Sequence, residues 1–322
     1  MKVFLTGATG FLGKHIQNSL QQNNVEFTAL SRKEQRSPNF IFGDILHPET
    51  YKNQLAKCDM VIHAAGQVSH LNEDAESMWN IHFEGTKTLL SVMKQADTKR
   101  FVYVSSSGTV AVSKTPDIIA TEKSPVPLET IRDWPYYRAK YFAEQHVMES
   151  FSDRTICLNP SLLLGPGDDP MGSSTETIRL FLDGKLPVSP SGGLSFVDVR
   201  DVAKTVVSAL DSGTLGQKYL MGSANISFWE FYKKIARLSN KPAPYFALPK
   251  NGHKLLYVFP KWKNISSEIR RENLILASHF WYVNSEKAKT ELRFSPRDPL
   301  ETLSDTLADI RENQSRYIPW NK

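Results

Sequence analysis

Thr6-Gly7-Ala8-Thr9-Gly10-Phe11-Leu12-Gly13 lies between a short β-branched and aromatic run, Val3–Thr6, and a helical pattern over about 11–23. A turn this tight requires positive φ or close backbone approach, and only glycine supplies both without a Cβ clash. Gly10 lets the backbone reach a pyrophosphate, Gly13 lets helix and strand pack closely, and the helix N-terminus favours the anion. A glycine triplet alone says little. Between a strand and a helix, at the head of an alternating series, it predicts a dinucleotide site with Gly7, Thr9, Gly10, Phe11, Leu12 and Gly13 as contacts.

The series continues outward from that loop. Strands are expected at Glu26–Ser31, Phe40–Phe42, Met60–His63, Phe101–Ser105 and Thr155–Leu158, with helical patterns at about 48–57, 74–95 and 134–150 between them. Such alternation builds right-handed βαβ units. After Pro160 the rhythm loosens at Gly165-Pro166-Gly167-Asp168-Asp169-Pro170-Met171-Gly172, a turn-rich break. A helix near 174–183, a strand near 195–197, a helix near 199–211 and a strand near 218–221 follow, and then a helical, aromatic tail. The expected fold is α/β: a Rossmann-type doubly wound parallel sheet with a smaller, mostly helical C-terminal substrate domain. The first domain covers residues 1–165 with return segments at about 194–222; the second covers 166–193 and 223–322.

Composition agrees with this reading. The 322 residues suggest about two domains at roughly 150 residues each. At 40% hydrophobic and 23% charged, the chain is neither disordered nor fibrous. Cys58 and Cys157 alone make neither a disulfide scaffold nor a cysteine zinc site, no metal is expected, and the chain suits a reducing cytosol. No apolar run reaches the roughly 18 residues of a membrane span. Val3-Phe4-Leu5 imitates a short secretory core but lacks a basic cluster and a cleavage site, so the chain is read as beginning directly with a strand. The net charge of +5 is concentrated in Lys250, Lys254, Lys261, Lys263, Arg270 and Arg271, opposed by Glu268. With the rest balanced and no accompanying motif, nucleic acid is not an expected partner.

Dinucleotide sites usually place an acid about 20 residues beyond the loop, on the ribose 2′-hydroxyl. Here the second strand ends Leu30-Ser31-Arg32-Lys33, without an acid, and Arg32 suits a 2′-phosphate. This favours NADP, with NAD possible. Asp44, beside Ile45 in Gly43-Asp44-Ile45, is placed to accept from the adenine amine. Two segments have Tyr-x-x-x-Lys spacing. Tyr257…Lys261 contains Pro260, which disfavours the helix that would put both side chains on one face. Tyr136…Lys140 has no breaker, and Pro135 stands where a helix begins. An ammonium beside a phenol stabilises the phenolate, which would tune Tyr136 for proton transfer to a carbonyl as hydride arrives. Lys140 could also hold the nicotinamide ribose. A hydroxyl to polarise the carbonyl is expected from Ser106 or Ser107, with Ser107 favoured, at the end of the fifth strand.

Taken together these features resemble the extended short-chain dehydrogenase/reductase (NAD-dependent epimerase/dehydratase) family over nearly the whole chain. The resemblance rests on the glycine loop, Gly43-Asp44, His63-Ala64-Ala65-Gly66, Asn80 in Asn80-Ile81-His82-Phe83-Glu84-Gly85-Thr86, the serine run, Tyr136 with Lys140, Asn159-Pro160…Gly165-Pro166-Gly167-Asp168, Phe196-Val197-Asp198-Val199-Arg200-Asp201-Val202-Ala203 and Val283-Asn284-Ser285-Glu286-Lys287-Ala288. It implies that Ala64, Ala65, Gly66 and Asn80 also contact the cofactor. Asn159-Pro160 and the Ser-Gly-Thr-Val after the fifth strand look like the dihydroflavonol reductase and 3β-hydroxysteroid dehydrogenase branch. Nucleotide-sugar epimerases usually carry an arginine shortly before Val-Asp-Val-x-Asp, where this chain reads Ser191-Gly192-Gly193-Leu194-Ser195-Phe196. The 4,6-dehydratases place adjacent Asp and Glu where it has Gly108 and Thr109.

The leading expectation is an NADPH-dependent reductase of a ketone or aldehyde on a fairly apolar small molecule. The alternatives are a sugar or nucleotide-sugar epimerase or dehydratase that retains its dinucleotide, and a non-catalytic NADP sensor. An apolar stripe of Tyr137, Tyr141 and Met148 has two readings: a homodimer, for which the resemblance pairs that helix with the Asn80 helix across a two-fold axis, or internal packing. The segment from Tyr245 to Tyr282 is read first as an aromatic, basic lid over the substrate pocket, with core packing and contact with anionic lipid as the alternatives.

Overall fold

The computed structural model describes residues 1–69, 71–168, 173–250, 252 and 271–313. Elements run β1 (Lys2–Thr6), α1 (Phe11–Gln22), β2 (Glu26–Ser31), β3 (Phe40–Phe42), α2 (Lys52–Leu55), β4 (Met60–His63), α3 (Ala75–Trp79), α4 (Gly85–Gln95), β5 (Arg100–Val104), α5 (Leu128–Ile131), α6 (Pro135–Phe151) and β6 (Thr155–Pro160). There follow β7 (Leu162–Leu164), α7 (Ser173–Leu182), β8 (Val188–Ser189), β9 (Gly193–Asp198), α8 (Val199–Ser208), β10 (Gln217–Met221), β11 (Ala224–Ser227), α9 (Phe228–Ser239) and β12 (Phe246–Ala247). Helices Arg271–Leu276, Glu286–Leu292 and Pro299–Glu312 close the chain.

Seven parallel strands form the main sheet in the order β10-β6-β5-β4-β1-β2-β3. Both faces are covered, so the strands are apolar on both sides. Val3 and Leu5 turn to the face of α1 and α8, packing with Ile16, Leu20, Val202 and Val206. Phe4 turns to the other, with Tyr51, Leu55, Leu89, Met93, Ala143 and Val147. Strand order reverses between β1 and β4, and a doubly wound sheet binds its ligand in the crevice at the carboxyl ends beside that reversal. Register places Thr6 opposite His63, His63 opposite Tyr103, and Val104 opposite Leu158. The ends of β1, β4, β5 and β6 therefore deliver their following loops to one rim.

A three-stranded sheet, β11-β9-β7, carries a separate core in which Ile178, Phe181, Phe196, Phe231, Tyr232, Leu303 and Leu307 pack between it and α7, α9 and Pro299–Glu312. The sequence reading of a mostly helical tail missed β7 and β11, because short strands that pair only with β9 have too little period of their own. The long helix expected at 74–95 is also interrupted: Asn80–Glu84 forms a π turn between α3 and α4. Such turns are rare and cluster at functional sites.

Of the two readings of the α6 stripe, internal packing holds at Tyr137 and Met148. Tyr137 does not belong to a free stripe on α6: its ring lies 4.9 Å from that of Trp281 and covers Gly108, where an added Cβ would meet Tyr137 Cε1 at 2.1 Å. Met148 is likewise used internally, against the core that contains Val147 and Phe151. Of the expected lid, residues 251 and 253–270, with Leu255, Leu256, Tyr257, Val258, Phe259, Lys261 and Trp262, lie outside the described residues.

Asp198, fully buried at the end of β9, ties the two sheets together. It caps α8 through Arg200 N at 2.9 Å, pairs with the Arg200 guanidinium at 2.7 Å and faces Arg297 at 3.4 Å, while Arg200 reaches Asp305 on the last helix at 2.7 Å. These cations hold its carboxyl below the usual range despite the opposing effect of burial. Replacing Asp198 by Ala leaves Arg200 and Arg297 without this buried partner, and a loss of about 3–5 kcal/mol in urea unfolding is expected. A loss under about 0.5 kcal/mol, as for an ordinary surface change, would contradict this role.

Candidate active site and dinucleotide cradle

The glycine loop is built by two clashes and one vacancy. Gly7 sits at φ +77°, and a Cβ there would lie 2.4 Å from Ala64 C and 2.5 Å from Ala65 N. A Cβ on Gly13 would lie 2.0 Å from Gly7 O. Gly10 is different. Its φ of −76° suits any residue, and a Cβ would meet only Gly7 O, at 3.4 Å. Among the described residues nothing requires glycine at position 10, whereas a ligand approaching the backbone would. No side chain caps α1 and no acid stands in its first turn, so its N-terminal N–H groups and positive dipole end face outward. Thr9 is exposed and Phe11 half-buried, while Leu12 turns its side chain into the core, leaving its backbone for a phosphate. The residues fit a pyrophosphate.

At the adenosine end, Ser31 Oγ accepts from Lys33 N at 3.1 Å and donates to Lys33 O at 2.7 Å, shaping the turn that presents Arg32. Arg32 is exposed and forms no ion pair or hydrogen bond among the described residues. Asp44 is half-buried, with Oδ1 accepting from Leu46 N at 2.9 Å. Ile45 is buried beneath it against Gly85, whose missing Cβ would lie 2.9 Å from Ile45 Cγ2.

His63 braces the cradle from below. Its Nδ1 lies 2.6 Å from Thr6 Oγ1 and its Nε2 3.0 Å from Thr86 Oγ1. Thr86 Oγ1 donates to His82 O, so it must accept from His63 Nε2–H. Nδ1 then accepts from Thr6, whose oxygen in turn accepts from Ala65 N at 3.3 Å. One tautomer satisfies the whole chain. Burial, with the Lys140 and His82 charges adding to it, drives the imidazole pKa well down, and His63 stays neutral.

Across the rim, α6 presents Tyr136 and Lys140 one turn apart, at the end of β5. Pro135 at the first helical position starts the helix, and Trp134 precedes it in extended backbone. Tyr136 shares a hydrogen bond with Ser106, which works against the upward push of burial; the phenol is nevertheless raised to about 12. The lowering expected from Lys140 is therefore not realised in the protein alone. Lys140 instead donates to Val104 O at 2.8 Å, and burial pushes its ammonium down to about 8, with Cys157 and Glu144 acting in the opposite direction. A phenol held protonated is the form a proton donor requires.

The two candidate serines sit in different surroundings. Ser106, not Ser107, carries the hydrogen bond to Tyr136, and Ser106 Oγ additionally accepts from Gly108 N at 3.2 Å. Ser107 is buried, and its hydroxyl makes no hydrogen bond among the described residues. Asn80 is half-buried in the π turn without a side-chain hydrogen bond there. The residue that this turn brings to Tyr136 is His82, its ring centroid 5.4 Å from the phenol ring at a steep angle. A Cβ on the exposed Gly66 would lie 2.6 Å from His82 Cε1, so the histidine wedges between the Ala64-Ala65-Gly66 loop and the tyrosine. His82 Nε2 donates to Gln67 O at 2.7 Å, and burial drives its pKa down to about 3. Sequence reasoning singled out Asn80 from that motif; the signal for His82 was its i,i+4 spacing to Thr86.

Beside Tyr136 stands an aromatic wall that sequence reasoning did not assemble. Trp281 lies 4.9 Å from Tyr137 and 5.6 Å from Trp134, and His279 lies 5.2 Å from Trp134. Residues 279–283 thread between the turn after β5 and the start of β9, with Phe280 bridging both Ser113 and Gly193. Gly192 and Gly193 allow that approach, since Cβ atoms there would lie 2.1 Å from His279 O and 2.3 Å from Tyr282 Oη.

Comparison with known proteins agrees with this geometry. The model of the NAD dependent epimerase/dehydratase family matches residues 3–222. A putative dihydroflavonol 4-reductase of Synechocystis sp. is 27% identical, over 95% of this chain and 92% of its own. A 4-hydroxy-2-methyl-3-oxo-4-farnesyl-3,4-dihydroquinoline-1-oxide ketoreductase of Stigmatella aurantiaca is 25% identical over 92% of each chain. The crystal structure of gox2253 superposes with a TM-score of 0.83 at 26% identity, covering 97% of this chain and 98% of the other. By its sheet, its glycine loop and this match, the chain belongs to the NAD-dependent epimerase/dehydratase family of extended short-chain dehydrogenases/reductases.

Proposed function

We propose that the protein is an NADPH-dependent reductase of a ketone or aldehyde on a fairly apolar small molecule. The observation that carries this reading is the Ser106–Tyr136 hydrogen bond with the buried Lys140 one turn away, at the rim that also holds the glycine loop. A bound nicotinamide dinucleotide would supply the hydride. The chain's own residues do the rest. Tyr136 Oη gives its proton to the carbonyl oxygen, Ser107 Oγ–H is free to hydrogen-bond that oxygen, and Ser106 holds the phenol in place. Lys140 adds positive charge where the phenolate develops. The wall of Trp134, Tyr137 and Trp281 offers apolar ring surface to a substrate, and the reductases among the relatives support the same direction. Where epimerases of the family usually hold an arginine, Gly192 and Gly193 are filled by the backbone and side chains of residues 279–282, which disfavours a nucleotide-sugar substrate.

Tyr136→Phe is expected to lower carbonyl-dependent NADPH oxidation by about 10²–10⁴-fold while NADPH affinity stays nearly unchanged, because the phenol acts in proton transfer and the glycine loop in binding. Fluorescence titration of NADPH beside the rate assay separates the two. Turnover retained at the wild-type level would remove Tyr136 from the proton-donor role.

Arg32→Ala is expected to weaken NADPH about tenfold or more and NADH little, since a hydrogen bond to a charged group contributes about 1.5–3 kcal/mol and only NADPH has the 2′-phosphate. Calorimetric titration with both nucleotides checks this. Equal loss for both would assign Arg32 to the turn and not to the phosphate.

A further inference from the structure

Two turns beyond Tyr136 on the same helix, Glu144 is completely buried. Its Oε1 accepts from Lys218 Nζ at 2.9 Å. Its Oε2 accepts from Ser105 Oγ at 2.6 Å, Asn159 Nδ2 at 2.7 Å and Thr109 Oγ1 at 3.1 Å. A carboxylate taken out of water is costly unless its lone pairs are filled, and here donors from three strand ends and the serine turn fill them.

These donors surround one short segment. Ser105 and Thr109 bracket Ser106 and Ser107; Asn159 Nδ2 also donates to Ser106 O at 3.1 Å, and the single Thr109 hydroxyl proton is shared between Glu144 Oε2 and Ser106 O, 3.0 Å away. The Asn159 amide is oriented by its Oδ1, which faces Cys157 Sγ at 3.5 Å. The turn that carries both serines is thus tied at each end to a group on the helix that carries Tyr136. A bare turn after a strand has no such fixed relation to a neighbouring helix, and a hydroxyl displaced by about 1 Å from its partner forfeits much of its effect.

We propose that Glu144 is a positioning residue, which clamps the 105–109 turn to α6 so that Ser106 and Ser107 hold their places against Tyr136, with Lys218 on β10 as its countercharge. Lys218 comes from the far edge of the sheet, so the clamp joins α6, β5, β6 and β10 at a single carboxylate. The catalytic consequence rests on the reductase reading; the clamp itself does not.

Carbon-13 resonances of tyrosine Cζ in the full-length protein test the clamp without substrate. The Tyr136 signal is identified by its absence from Tyr136→Phe. Ser106→Ala should shift it, Glu144→Gln should shift it in the same direction, and the double variant should shift it no further than Ser106→Ala alone. In the rate assay, Glu144→Gln should lower kcat on the order of ten- to a hundredfold at unchanged NADPH Kd. That loss should fall to about twofold or less once Ser106 is Ala, since two residues acting through one contact are not additive. Glu144→Gln strands the Lys218 ammonium, so Glu144→Gln/Lys218→Met, without that charge, serves if the single variant folds poorly; the same shift is expected. A Tyr136 resonance unmoved in both variants, or a shift that adds in full to that of Ser106→Ala, overturns the proposal. If the wild-type protein reduces no carbonyl, the reductase reading fails while the resonance still decides the role of Glu144.

Discussion

The site depends on one close backbone approach. Gly7, at the end of β1, passes so near Ala64 and Ala65, at the end of β4, that no side chain fits between them. This contact falls where strand order reverses, the place at which a doubly wound sheet opens a crevice. It brings the glycine loop, the His63-Ala64-Ala65-Gly66 segment and, through Thr6, His63 and Thr86, the π turn into one rigid body. The neutral His63 is what lets that body be buried: a protonated ring would force Thr6 to give up its donor role and leave its hydroxyl proton unpaired.

A second rigid body faces it. Helix α6 carries Tyr136, Lys140 and Glu144 at successive i,i+4 positions, so one face supplies a phenol, an ammonium and a carboxylate. Lys140 and Glu144 are buried and Tyr136 half-buried, and each is compensated locally: the phenol by Ser106, the ammonium by Val104 O, the carboxylate by Lys218 and the donors around it. His82 stands between the two bodies, its ring against Gly66 on one side and Tyr136 on the other. The glycine-loop side of the rim and the Tyr136 phenol are thereby adjacent, the arrangement that the proposed reduction needs for hydride and proton to reach the two ends of one carbonyl.

Local signals carried much of this information. The β1–loop–α1 unit, the alternation up to β6, and the Tyr136…Lys140 pair with its proline start are readable because each depends on residues within a few positions of one another. Tyr257…Lys261 could be set aside on the same local ground, its Pro260. Contacts made across the sheet were not readable. Glu144 looks like an ordinary helical acid until Lys218, Ser105, Thr109 and Asn159, drawn from distant strands, close around it. The Trp134–Tyr137–Trp281 wall depends on a segment that returns more than 140 residues later. The chain has left β5 at Val104 and turns at Ser107–Thr109, so strand alternation alone does not tell where the Ser106 and Ser107 hydroxyls point.

The most direct test of the account is the fate of the hydride. Purified protein would be incubated with 4,4-dideuterated NADPH and a panel of aryl and alicyclic ketones and aldehydes, with products read by mass spectrometry. The account predicts an alcohol carrying one deuterium at the former carbonyl carbon, formed in step with NADP⁺. Interconversion of a sugar substrate with no net consumption of NADPH, or an alcohol lacking deuterium, would contradict it.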